Sequence, residues 1–104
     1  MRTDIKAVHF DLKDPTREYL EKKFRKISYG ERFIEDLHLT LTKENTSFTA
    51  EVNVHTHWGE LFHLKEEAKD LIEAIDKLFD KLDYKIAKEK SKIQDHHVEK
   101  PEKE

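Results

Sequence analysis

The chain has no cysteine, only two glycines, two prolines and one tryptophan in 104 residues, and no apolar run of bilayer length. Without thiols there are no disulfides, no thiolate metal sites and no cysteine nucleophile. A spanning helix needs about 20 consecutive apolar residues, and the opening Met1-Arg2-Thr3-Asp4 lacks the apolar centre of a secretory signal. A cytoplasmic protein with no membrane partner is expected. Also missing are a Gly-rich phosphate loop, paired carboxylates in a recognisable setting and an activated nucleophile, so neither enzyme chemistry nor a cofactor is expected. An excess of positive charge is absent too: 20 Lys plus Arg face 23 Asp plus Glu, for a net charge of −3. Attraction to a polyanion must then come from a local patch, not from the whole molecule.

What the chain does have is charge in quantity, 41% against 36% hydrophobic residues, which suits one small domain with a thin core. Ile5, Ala7 and either Val8 or Phe10 mark a short strand. Asp14-Pro15 opens a helix, the carboxylate placed to cap free amides and the proline tolerated at a helix start. Thr16, Leu20, Phe24 and Ile27 form its inward stripe, and Gly30 is the expected stop. Leu37, Leu39 and Leu41 alternate with His38, Thr40 and Thr42, and Phe48, Ala50, Val52 and Val54 alternate with polar residues, giving two half-buried strands. A third strand from about Leu61 to Lys65 follows a turn at Trp58-Gly59; whether Phe62 and Leu64 or Leu61 and His63 face the core is open.

From Leu71 to Ile93 three stripes coexist that only a helix can sort. Leu71, Ile75, Leu78, Leu82 and Ile86 form a buried face; Glu73, Asp76, Asp80 and Asp83 form an acidic one; Lys77, Lys81, Lys85, Lys88 and Lys92 form a third, entirely of lysine. A sorted row of ammonium groups suits a polyanion with regularly spaced phosphates. The competing reading is a solvated face held by ion pairs such as Glu73 with Lys77, Lys77 with Asp80, Lys85 with Glu89 and Glu89 with Lys92. The order is β-α-β-β-β-α: an α+β domain over residues 1–94, with two helices on one face of a four-stranded sheet, and a charged, disordered tail over 95–104.

Several segments resemble one family. Arg17, Tyr19-Leu20 and Lys23-Phe24-Arg25-Lys26-Ile27 are similar to a first helix reading R-x-Y/H-V-x-x-K/R-L/F-x-K-L. Asp70-Leu71-Ile72-Glu73-Ala74-Ile75-Asp76 resembles a D-x-Y-x-A-I-D signature, and Lys77-Leu78-Phe79-Asp80-Lys81-Leu82-Asp83 through Lys90 resembles its D-K-L continuation. The family is the short form of the ribosome hibernation promoting factors, also called ribosome-associated inhibitors or sigma-54 modulation proteins. The resemblance implies a fold like a double-stranded RNA-binding domain. It also implies binding to the small ribosomal subunit and to vacant ribosomes, over the decoding-region sites of mRNA and of A- and P-site tRNA. Translation would be blocked and idle ribosomes preserved in starvation or stationary phase. The protein would be a monomer off the ribosome, lacking the dimerisation domain of long members. The rRNA contacts implied are Arg17, Lys22, Lys23, Arg25 and Lys26 on the first helix, and Lys77, Lys81, Lys85, Lys88 and Lys92 on the second.

The sequence departs from the pattern in places. Ile72 replaces the signature tyrosine, Tyr84 and Lys85 stand where arginine and glutamine are frequent, and Lys13 holds the place of a capping threonine, with Asp14 the expected substitute. The acidic stripe and the tail are expected to point away from RNA. Two further readings stay in view: a general double-stranded RNA-binding module, and a small metal protein built on His55, His57 and His63, with His96-His97 in the tail. With no cysteine and no acid at clear ligand spacing, no metal site is expected, and sheet histidines facing solvent or RNA are the better reading. Trp58 either leans on a partner or folds over the sheet edge.

Overall fold

A computed structural model describes residues 1–98, with side chains as far as Ser91. The elements are β1 (Arg2–Val8), α1 (Asp14–Lys26), a 3-10 turn (Ser28–Gly30), β2 (Ile34–Lys43), β3 (Phe48–Thr56), β4 (Leu61–Ala68) and α2 (Leu71–Val98). The expected tail begins inside the last turn of α2, and 99–104 lie outside the described residues.

The sheet order is β1-β2-β3-β4, with β1 parallel to β2 and the other pairs antiparallel. Parallel neighbours cannot be joined by a hairpin, so the chain between β1 and β2 crosses over as α1. Alternation decides the faces. Leu37, Leu39 and Leu41 pair across with Val54, Val52 and Ala50, and all six are buried beneath the helices. Val54 and Val52 in turn oppose Phe62 and Leu64, which settles the face of β4: these two pack against the core, while Leu61 is 72% exposed on the far side. β4 also runs past the expected Lys65 to Ala68. This puts Glu66 on the helix-facing side opposite Ala50, where Lys81 of α2 reaches over the strand to pair with it.

The helices bury the stripes their periodicity marks. Leu20, Phe24 and Ile27 of the first segment meet Ile75, Leu78, Phe79, Leu82 and Ile86 of α2, and the Phe24 and Phe79 rings contact edge to face with centroids 5.5 Å apart. Two local expectations change. Lys13, not Asp14, is the N-cap of α1, and its side chain makes no capping bond; Asp14 is the first helical residue and acts on the amide dipoles as a first-turn acid. Gly30 is not a left-handed helix stop, since the one positive-φ glycine described is Gly59. Its smallness is needed instead for close approach: a Cβ there would stand 2.8 Å from Ile86 Cγ2 and 3.3 Å from Ile34 Cδ1.

Candidate nucleic-acid interface

α2 has two flanks, and its contacts fix which way each faces. The acidic flank faces α1 and the 3-10 turn. The Tyr19 hydroxyl donates to Asp76 Oδ1, and Lys23 Nζ lies 3.0 Å from the same oxygen. The Tyr29 hydroxyl donates to Asp83, to its carboxylate and, at 3.1 Å, to its backbone carbonyl. Lys23, Lys26, Phe79, Asp80 and Asp83 line the cleft between the helices. Two consequences for protonation follow. Burial would raise the Asp76 carboxyl, but the donors Tyr19 and Lys23 overcome it and hold its pKa low. Tyr29 is pushed up to about 12, by burial first and by the hydrogen bond to Asp83 second.

The lysine flank faces the opposite way, over β4. Lys81 pairs with Glu66, and Lys85 Nζ sits 5.2 Å from the centre of the Phe62 ring. Two of the ion pairs expected within the helix are present, Lys77 to Glu73 at 3.9 Å and Lys85 to Glu89 at 3.3 Å. Lys88 is exposed and has no ion pair among the described residues. The side chain of Lys92 lies outside those described. Lys77 and Lys81 keep about half of their side-chain surface open, 49% and 58%; Lys77, whose partner Glu73 is similarly open, can exchange that carboxylate for a phosphate at little cost, whereas Lys81 balances the mostly covered Glu66.

The first-helix set divides. Arg17, Lys22 and Arg25 are exposed without ion pairs among the described residues, whereas Lys23 is held on Asp76 with 17% of its side chain accessible. Lys26 lies in the inter-helix cleft. The two basic sets therefore do not form one continuous face, because the acidic flank of α2 lies between them. The sequence shows that the acids are sorted, but not that α1 packs on their side.

The outer sheet face carries the histidines. Register places Arg2, Asp36, His55 and Leu61 in one cross-strand row and Asp4, His38, Asn53 and His63 in the next. His38 bonds Asp4, and His63 lies 2.9 Å from Glu51. A register shift between Ile34 and Asp36 leaves Glu35 and Asp36 both opposite His55, with three donor atoms within 4.8 Å of one another. Arg2 Nε already donates to Asp36 at 2.8 Å and holds that carboxyl below its ordinary range. His57 lies beyond the end of β3, so it does not share a strand face with His55. Trp58 is half exposed; its ring tilts against Phe33 at 6.1 Å and its Nε1 donates to Glu60 at 3.2 Å.

A mixed four-stranded sheet with both helices on one face and a lysine row on the outer flank of the second helix defines a small α+β protein of RNA-binding-domain shape. The chain belongs to the Sigma 54 modulation protein / S30EA ribosomal protein family, whose family model matches residues 3–94. Among curated relatives it is 29% identical over 96 residues to the ribosome hibernation promoting factor of Escherichia coli strain K12, covering 92% of this chain and all of that one. It is 30% identical over 97 residues to the protein of that name from Salmonella typhimurium, again over 92% of this chain and all of the other. Of solved structures, a ribosomal subunit interface protein from Coxiella burnetii shares the fold with a TM-score of 0.78 at 23% identity, over 88% of this chain and 99% of that one. The N-terminal domain of Thermus thermophilus Protein Y matches with a TM-score of 0.70 at 26% identity, over 83% and 96% of the two chains.

Proposed function

We propose that the protein is a cytoplasmic, non-enzymatic ribosome hibernation factor. In this reading it binds the small ribosomal subunit in the decoding region, over the mRNA and A- and P-site tRNA positions, blocks translation and preserves vacant ribosomes under starvation. Support comes from the family and from relatives named ribosome hibernation promoting factor along their whole length. The observation that carries the mechanism is the outward lysine flank of α2, with Lys77, Lys81 and Lys88 exposed and Arg17, Lys22 and Arg25 exposed on α1. Folded rRNA presents phosphates in a fixed array, so cations held on two rigid helices recognise it by shape and charge without reading base edges. Each phosphate neutralised releases condensed counterions, so about six contacts give a steep loss of affinity with salt.

The test is co-sedimentation of the protein with isolated subunits and vacant ribosomes at low and raised salt, beside a Lys77→Glu/Lys88→Glu variant. These two positions are chosen because Lys81 balances Glu66 and its reversal would disturb the fold. Near-stoichiometric binding to small subunits, weakened about a hundredfold in the variant, is the expected result. Equal affinity for a plain RNA duplex would make the protein a general double-stranded RNA-binding module instead, and wild-type protein left in the supernatant would reject both.

A further inference from the structure

The chain has three tyrosines, and two of them are used inside the molecule. Tyr19 donates to Asp76 and Tyr29 to Asp83, each with a lysine ammonium over its ring, Lys23 at 5.3 Å and Lys90 at 5.6 Å. Tyr84 has neither. It is 70% exposed, and among the described residues its hydroxyl has no hydrogen-bond partner and its ring no covering cation or aromatic neighbour.

Its surroundings give that exposed ring a use. Lys88 lies four residues after it and Lys77 seven before, both exposed on its lysine side; Asp80, four before, borders it toward the acidic flank, and Lys81, three before, reaches away over β4 to Glu66. Ala87, three residues on, presents only a methyl, so one face of the ring stays open. Residues three or four positions apart stand about 5–6 Å from each other on a helix surface. A neutral aromatic face thus sits beside the ammonium group of Lys88, which is unpaired among the described residues, an arrangement that suits one nucleotide: base on the ring, a flanking phosphate on the lysine. A base inside a duplex is stacked on its neighbours and cannot offer its face, whereas an unpaired base in a loop, bulge or end can.

We propose that Tyr84 is a stacking platform for an unpaired base, and that the lysine flank therefore takes a looped or single-stranded stretch of RNA rather than an uninterrupted duplex. This deepens the ribosome-binding reading and rests on it for the source of the RNA.

Charge and stacking leave different signatures. A lysine contact contributes to the slope of affinity against salt, while a neutral ring shifts affinity without changing that slope. The experiment measures the affinity of the whole chain for isolated small subunits over a salt series, for wild type, Tyr84→Ala, Tyr84→Phe and Lys88→Gln, with thermal melting to confirm that all are folded. Tyr84→Ala should weaken binding about tenfold at every salt concentration with the slope unchanged, Tyr84→Phe should stay within about twofold, and Lys88→Gln should flatten the slope. Wild-type affinity in Tyr84→Ala, or a slope change like that of Lys88→Gln, overturns the proposal. Wild-type protein that binds no subunit would defeat the ribosome reading alone. The stacking proposal is then decided on an oligoadenylate and an RNA duplex of equal length: a preference for the single strand that Tyr84→Ala removes supports it, and no such preference overturns it.

Discussion

The two flanks of α2 carry opposite charges and do different jobs. On the acidic flank, Asp76 and Asp83 tie the helix to residues 57 and 54 positions away in the chain, each through a phenol and one also through an ammonium group. On the lysine flank, Lys81 pairs with Glu66 of β4, Lys77 and Lys85 pair with acids one turn along their own helix, and Lys88 pairs with nothing described. An exposed local pair such as Lys77 with Glu73 contributes about 0.3–0.5 kcal/mol and gives way readily to a better anion, whereas the carboxylate paired with Lys85 is buried. The acidic flank therefore helps to build the molecule, while Lys77 and Lys88 on the other flank are left for a ligand. A net charge of −3 is then a poor guide to what the surface attracts, because part of the negative charge already has internal partners.

The strongest way to break this arrangement is to move α2 away from the 3-10 turn that carries Tyr29. Gly30→Ala does so, since the new methyl would meet Ile86 Cγ2 at 2.8 Å and the Phe33 ring at 3.3 Å. Overpacking of this kind costs about 1–3 kcal/mol, to be read as a lowered midpoint in urea unfolding followed by Trp58 fluorescence. If the seam relaxed instead, the midpoint would not move, and the tie from Tyr29 to Asp83 would have to be credited with less rigidity than its geometry suggests.

A smaller effect sharpens the comparison. Asp76→Ala removes the shared acceptor of Tyr19 and Lys23, and loss of two partly solvated hydrogen bonds should cost about 1–2 kcal/mol. Lys77→Glu, one residue further along on the other flank, should change stability by no more than about 0.5 kcal/mol while weakening RNA binding. The two variants should thus exchange phenotypes, stability for one and affinity for the other. Equal destabilisation by both would mean that the flanks are not divided as their contacts indicate.

Much of this was legible in the chain and part was not, for identifiable reasons. Strict alternation at Leu37, Leu39 and Leu41 and at Ala50, Val52 and Val54 marks both central strands, and spacing by three and four residues marks the core stripe of α2, because burial on one face imposes a period. The face of β4 was not legible, since Leu61, Phe62, His63 and Leu64 are apolar or amphipathic on both sides; only pairing with Val52 and Val54 decides it. The lysine row was visible as a row. That Lys81 serves Glu66 and Lys23 serves Asp76 was not, because each pair joins elements that only tertiary packing brings together. Tyr84 stood out in the sequence only as a departure from a family pattern, and its exposure is what gives it a role.

The smallest expected effect is a matter of pH. Tyr29 keeps its proton up to about 12 in the folded chain, against an ordinary value of 10.0, because burial and the Asp83 carboxylate both disfavour the phenolate. Once the pH passes 10 the unfolded chain releases this proton and the folded chain does not, so the unfolded state gains. The contribution of Tyr29 is therefore complete below pH 10 and is lost as pH rises toward 12. Tyr19 and Lys23 are raised as well and add to the alkaline decline from the other tie, so Tyr29→Phe should reduce that decline without abolishing it. At neutral pH the same variant should lose only about 0.5–1 kcal/mol, the net worth of a half-exposed hydrogen bond. Urea midpoints of both proteins at neutral pH and at steps above pH 10 provide the check. Curves that approach each other as pH rises locate this tie on the acidic flank, whereas parallel curves would show that Tyr29 titrates alike in the folded and unfolded chains and holds nothing.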